Sequence, residues 1–239
     1  MSKRLQRAEN SRKYFEDSNK RLSTGGAPEI TPGKKYIARI CSYTMIGMQE
    51  SEFQGKKSLK PAFIVGFEFK DDSGTSKVLH APKINLSDSP RGLNMKLLRT
   101  LDPLKDSNSL LDEVFKQKLY KIRFMVQTWQ EKTTMSMYDR DVGYLIEPAL
   151  VENDDGFEVP RYATEMKWSV PLSVYYGPDS PPVVTTDEDH VAQFKDWTAG
   201  EKPHYVLERI RSSPCWQKTR LYNLVVSAGL EKPVTQASM

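Results

Sequence analysis

The stretch that decides the fold is Lys34–Leu101, KKYIARICSYTMIGMQESEFQGKKSLKPAFIVGFEFKDDSGTSKVLHAPKINLSDSPRGLNMKLLRTL. Its first part alternates: Tyr36, Ala38 and Ile40 take one face of a strand, Ile37, Arg39, Cys41 and Tyr43 the other, over Lys35–Met45. A second strand follows over Pro61–Lys70, with Phe63, Val65, Phe67 and Phe69 on one face and read chiefly as core. Asp71-Asp72-Ser73-Gly74 is turn chemistry, so Ser76–Leu86 returns as a third strand. Pro90 suits a first helical turn with Ser89 before it, and Leu93, Leu97, Leu98 and Leu101 form one apolar stripe that Pro103 ends.

Outward from this block the pattern continues. Ser109 and Asp112 have capping spacing for a short helix. Leu119–Trp129 predicts a fourth strand, with Tyr120, Ile122, Phe124 and Val126 inward and Lys121, Arg123, Gln127 and Trp129 outward. After a polar loop at 130–141, Val142–Val151 reads as a fifth. Three strands, a helix and two strands follow the order of an OB-fold, a five-stranded Greek-key barrel whose first-second and fourth-fifth loops frame a ligand groove. An α+β sheet of another topology would give the same string.

The expected fold is therefore mainly β with helices, divided into a basic N-terminal arm at 1–33, an OB-fold domain at 34–151 and an extension at 152–239. In the extension Trp168–Tyr176 reads as a short strand and Gly177–Pro182 as a linker. Tyr205–Arg211 and Pro214–Ala228 read as helices, the second capped by Ser213 and closed by Gly229.

Composition narrows the function. The chain has 239 residues, 28% of them charged, and a net charge of +4. That excess is matched by residues 1–22, where seven basic side chains face three acidic ones. Such an arm either holds a phosphate backbone or is simply solvated. No apolar run approaches the roughly 20 residues that span a bilayer, so no membrane partner is expected. Two cysteines, Cys41 and Cys215, and no apolar leader point to a reducing compartment, the cytoplasm, or a host's cytoplasm for a viral protein.

Catalysis finds little footing. His80, His190 and His204 are isolated, neither cysteine has a ligand at metal spacing, and no phosphate-cradling glycine motif occurs. Asp187-Glu188-Asp189-His190 after Thr185-Thr186 reads as a helix start, with a divalent-metal site as the weaker alternative. Glu68-Phe69-Lys70 has a nuclease-like spacing without an upstream acidic partner. The expectation is no enzyme, no cofactor and no metal.

Binding fits better. A single-stranded nucleic acid asks for cations along a groove and flat rings on which bases stack. The first-second loop offers Phe53 among Lys56, Lys57 and Lys60, the ring either stacking on a base or tucking under the loop. Strand four and the loop after it add Lys121, Arg123, Trp129, Lys132, Tyr138 and Arg140, Trp129 being equally suited to cover the barrel mouth. Arg39, Tyr43, Lys77 and Lys83 complete the candidate lining.

The segments YIARICSYTMIGMQ (36–49), FQGKKSLKPAFIVGFEF (53–69), KINLS (83–87), LNMKLLRTLDP (93–103) and KQKLYKIRFMV (116–126) resemble those of tailed-phage single-stranded DNA-binding proteins with an OB-fold. EKPHYVLERIRSSPCW (201–216) is similar to that family's tail region. The resemblance implies sequence-independent binding and protection of single-stranded DNA in phage replication or recombination. Phage or host replication and recombination proteins would meet the C-terminal helices. The closing residues GLEKPVTQASM are not acidic, unlike the tail of better-known replicative single-strand binders. The competing expectation is a scaffold whose amphipathic 205–228 region docks a protein and whose barrel binds no nucleic acid.

Overall fold

Alternating β-branched and aromatic residues pull the chain into two long neighbouring strands in the computed structural model, which describes residues 22–23, 28–53, 55–129, 132–139, 141–169, 172–175, 186–199 and 204–232. In chain order the strands are β1 (Leu22–Ser23), β2 (Lys35–Phe53), β3 (Lys56–Lys70), β4 (Ser76–His80) and β5 (Ile84–Asn85), followed by helices α1 (Leu93–Leu101) and α2 (Leu110–Phe115). Then come β6 (Leu119–Arg123), β7 (Met125–Trp129), β8 (Lys132–Ser136), β9 (Tyr138–Asp139), β10 (Gly143–Tyr144), β11 (Ile146–Pro148), β12 (Leu150–Glu152), β13 (Glu158–Pro160) and β14 (Ser173–Tyr175). Helices α3 (Asp187–Thr198), α4 (Tyr205–Arg211) and α5 (Arg220–Ser227) close the described chain. The protein is mainly β with helices, and no described helix is long and apolar enough to cross a membrane.

The chain packs as two compact units, Met1–Ser42 with Val65–Leu172, and Tyr43–Ile64 with Ser173–Met239. These boundaries differ from the expected arm, barrel and extension, because they cut β2 and β3 in mid-strand. The hairpin 43–64 joins the C-terminal helices because its apolar residues share a core with theirs.

In the first unit the strands run in the order β1-β4-β3-β2-β6-β11, with β5 also paired to β3, as an open sheet. One face carries the ring cluster: Tyr36 meets Phe69 at 5.8 Å, Phe69 meets Phe124 at 4.9 Å and Phe67 meets Tyr120 at 6.4 Å. Leu97, Leu98 and Leu101 of α1 are buried, and α1 packs beside β5 and β11. The other face is covered too, where Leu119, Ala149 and Ala163 pack with Ile37, Met166 and Trp168. Strand β3 is consequently buried from Val65 to Phe69, on both of its faces.

Several expected boundaries shift. The fourth strand breaks at Phe124: β6 pairs with β2, whereas β7 turns into a separate hairpin with β8 inside the expected polar loop. Gly92, not Ser89, precedes α1 and provides no side-chain cap, while Ser109 caps α2 by accepting the Asp112 N–H at 3.1 Å. A single 3-10 turn at Trp216–Lys218 interrupts the expected 214–228 helix, and Thr219 rather than Ser213 caps its remainder.

In the second unit Ile46, Ala62 and Ile64 of the hairpin pack against Phe194, Val206, Leu207, Ile210, Trp216 and Val225 from the helices. Phe194 and Trp216 stack at 6.2 Å and Trp216 meets Tyr222 edge-on at 5.5 Å. Gln49 ties the hairpin to α4, its amide donating to the Arg209 carbonyl at 2.8 Å. The amphipathic face of α4 and α5 is thus used in this core.

Candidate nucleic-acid interface

Beyond the second unit's core, β2 and β3 continue as a two-stranded ribbon. Lys56, Lys57, Ser58 and Leu59 are exposed in succession, so neither face of the strand is covered there, and Lys60 is half-buried. Gly55, at φ +77°, takes the left-handed conformation at the tip that other residues adopt only with strain. None of Lys56, Lys57 and Lys60 has an ion-pair partner among the described residues. Glu50 and Glu52 lie on the opposing strand, both exposed, so the ribbon keeps a small positive excess.

A second basic row lies on β6 in the first unit. Antiparallel register sets Arg123 opposite Lys35 and Lys121 opposite Ile37, with Glu147 on the other side of Lys121. Glu147 is engaged by Lys35 at 2.5 Å, whereas Lys121 and Arg123 have no ion-pair partner among the described residues. Arg123 is exposed and Lys121 half-buried. Past Phe124, the β7–β8 hairpin places Trp129 directly across from Lys132 in the backbone ladder.

Three of the other candidates are buried. Arg39 is buried, donating to Glu68 through Nε at 3.1 Å and Nη2 at 2.9 Å, with the Trp168 ring 5.3 Å from its guanidinium. It does face away from Ala38, as alternation requires, but the chain at 163–169 covers that face. Tyr43 is buried against Phe63 at 5.1 Å, and Lys77 is buried. These three are corrections to the expected groove. Lys83 and Tyr138 are half-buried, Tyr138 meeting Tyr144 edge-on at 4.9 Å. The side chains of Phe53, Trp129 and Lys132, and the whole of Arg140 and of residues 1–21, lie outside the described residues.

The two motifs considered for catalysis have structural occupations. Thr186 and Asp189 cap α3 reciprocally, at 3.2 Å and 2.8 Å, and Asp187 pairs with Arg220. The helix-start reading of 187–190 therefore accounts for the cluster. Glu68 is fully buried, accepting from Arg39, from Ser76 Oγ at 2.5 Å and from the Ser169 N–H at 2.7 Å. Burial pushes the Cys41 thiol up to about 12, which keeps it protonated and unreactive at neutral pH.

Sequence reasoning missed one buried polar network altogether. Glu113 of α2 accepts from Tyr120 Oη at 2.7 Å, Ser107 Oγ at 2.6 Å and Lys118 Nζ at 3.2 Å, and Lys118 lies 3.5 Å from Asp102. Burial, reinforced by the Glu113 charge, raises the Tyr120 phenol and keeps it a donor. The one available signal was Lys118, a cation placed at the mouth of an otherwise apolar strand.

No family model, no curated protein and no solved structure matches the chain.

Proposed function

We propose that this chain binds single-stranded DNA without sequence preference, as the tailed-phage proteins that it resembles do in replication and recombination. The observation that carries the reading is the form of two strand connections. The β2–β3 connection and the chain after β6 are each drawn out as a β-ribbon, and each is accompanied by cations without an ion-pair partner. In an OB-fold the corresponding connections each contribute ligand contacts. The strand order supports that finer reading, since third, second, first, fourth and fifth strands lie side by side with a helix between the third and fourth. Helix α1 packs beside both β5 and β11, which is compatible with a partly open barrel.

Unpaired lysines on such ribbons act by displacing counterions condensed on the phosphates, which makes binding tolerant of sequence and sensitive to salt. The scaffold reading, with the C-terminal helices docking a replication protein, is weakened because α4 and α5 bury their apolar faces in their own unit.

The test is a titration with poly-dT, read by tryptophan fluorescence at two salt concentrations. Each lost phosphate contact lowers the salt slope by about 0.7 for a single strand. Replacing Lys56, Lys57 and Lys60 by alanine should lower it by about 2, and replacing Lys121 and Arg123 by about 1.4. Phe53→Ala and Trp129→Ala should each weaken binding by roughly 1–3 kcal/mol if their rings stack on bases. No quenching and no salt slope in the wild type would overturn the proposal and leave the scaffold.

A further inference from the structure

The two faces of the β2–β3 ribbon carry different charge. Only residues 54 and 55 separate the paired strands, so Phe53 lies across from Lys56, Ser51 from Ser58 and Gln49 from Lys60. In the alternate positions Glu52 lies across from Lys57 and Glu50 from Leu59. The Ser58 hydroxyl, which donates to the Ser51 carbonyl at 3.4 Å, agrees with this register. Side chains alternate between faces, so Lys60, Ser58 and Lys56 continue the line of Ile64 and Ala62, which pack on the helices of the second unit. Gln49 marks the same side, because its amide reaches the Arg209 carbonyl of α4. Lys57 and Leu59 point the other way, together with Glu50 and Glu52.

Both acids of the ribbon are therefore on its far face. On the helix side Lys60, Ser58 and Lys56 form a row of donors spaced about 7 Å apart, and among the described residues no carboxylate of the ribbon shares it. Carboxylates repel phosphates, so the far face is the poorer track for a polyanion although it holds Lys57. We infer that a single strand lies along the helix-side face of the ribbon alone, its phosphates held by Lys56 and Lys60 with the Ser58 hydroxyl between them. Serine hydroxyls, like lysines, are ordinary donors to phosphate oxygens. This assignment rests on the reading of the chain as a single-strand binder and adds the side of contact, with Ser58 as a further contact residue. Lys57 contributes its charge from the opposite side, across from Glu52.

Two charge insertions at neighbouring positions test it. Ser58→Glu and Leu59→Glu change the net charge equally and both positions are exposed, but they put the carboxylate on opposite faces. Screening over about 8 Å at physiological ionic strength keeps each new charge local to its face. In a poly-dT titration at that ionic strength, Ser58→Glu should weaken binding roughly tenfold and Leu59→Glu less than about threefold. Equal losses, or a larger loss for Leu59→Glu, overturn the assignment and leave single-strand binding standing. A footprint of the wild type reads the same point without a variant, through lysine acylation followed by mass spectrometry. Bound poly-dT should slow acylation of Lys56 and Lys60 and leave Lys57 as reactive as in the free protein. Slowing at Lys57, or at none of the three while tryptophan fluorescence still reports binding, overturns the assignment as well. A wild type whose fluorescence poly-dT does not change removes the single-strand reading itself, and the assignment with it.

Discussion

The two units hide ionisable groups in opposite ways. In the first they are paired with an opposite partner: Arg39 with Glu68, and Lys118 with Glu113 and Asp102, every one of these side chains less than a tenth exposed. In the second, His190 is buried and His204 half-buried, and burial lowers the pKa of both so that they are held neutral. The difference follows from the secondary structure. A sheet covered on both faces forces alternate residues inward, and polar ones among them survive there only in pairs. A helix can turn its polar residues outward, and α4 and α5 leave a core of rings and aliphatic chains.

The largest effect expected from this contrast is the loss of one half of a first-unit pair. Glu68→Ala leaves the Arg39 guanidinium buried without its carboxylate and should cost about 3–5 kcal/mol in urea unfolding. Replacing both partners with apolar residues of similar size should restore most of that loss. If the single variant costs less than about 1 kcal/mol, the pair is more hydrated than its burial indicates.

Acid should separate the units next. The His204 pKa is lowered from 6.5 to about 4 by burial, so the unfolded chain takes up the proton first as pH falls. Stability that is complete above pH 6.5 is then lost down to about pH 4, a loss on the order of 3 kcal/mol. His190 shifts in the same direction. In the first unit, hydrogen bonds from Lys34, Thr31 and Tyr36 lower Asp72 from 3.8 to about 2, and its contribution is lost only between those values. A variant with Trp129 and Trp168 replaced by Phe keeps Trp197 and Trp216, both of the second unit, as reporters. Its fluorescence should report unfolding that moves with pH between 6.5 and 4, and His204→Gln should reduce that movement to the share that His190 supplies. A transition insensitive to pH in that range would remove the distinction.

Packing in the first unit can be probed at Gly66. A Cβ there would come within 2.3 Å of Ser42 Oγ and 3.2 Å of the His80 ring. Gly66→Ala should cost about 1–3 kcal/mol, as overpacking does, and Ser42→Ala should recover part of it. Additive costs would place the strain elsewhere.

The reach of sequence reading follows the same division. The alternation of Tyr36, Ala38 and Ile40 against Phe67 and Phe69 is local, and it marked the core face of the sheet. Tyr205–Arg211 was legible as a helix over its full observed span because its apolar spacing and flanking Pro203 are local too. What escaped depended on distant chain. The first strand extends past Met45 to Phe53 through Gly47, Gln49, Glu50 and Glu52, where alternation fails; pairing to β3 and a bond from Gln49 to α4 supply what the pattern does not. Arg39 was placed on its correct face, but the cover over that face comes from Trp168 and Ser169, more than a hundred residues later. Of the candidate site, the ribbon lysines were legible because a run of polar residues after Gly55 needs no tertiary partner to be exposed.

The smallest effects should lie in the helix caps, where both units use the same local chemistry. Ser109 accepts one bond at the start of the six-residue α2, whereas Thr186 and Asp189 exchange two at the start of α3. Removing a cap hydroxyl typically costs about 1 kcal/mol. Thr186→Ala should fall near that value, because the Thr186 N–H still reaches Asp189 while the Asp189 N–H loses its acceptor. Ser109→Ala should cost less, since α2 is also fixed by Glu113, whose carboxylate is held from three sides by buried groups. Unfolding midpoints of the two variants decide the point. If Ser109→Ala proves the more damaging, the buried network does not anchor α2 but depends on it, and the first unit's paired charges would be a consequence of its helix rather than its support.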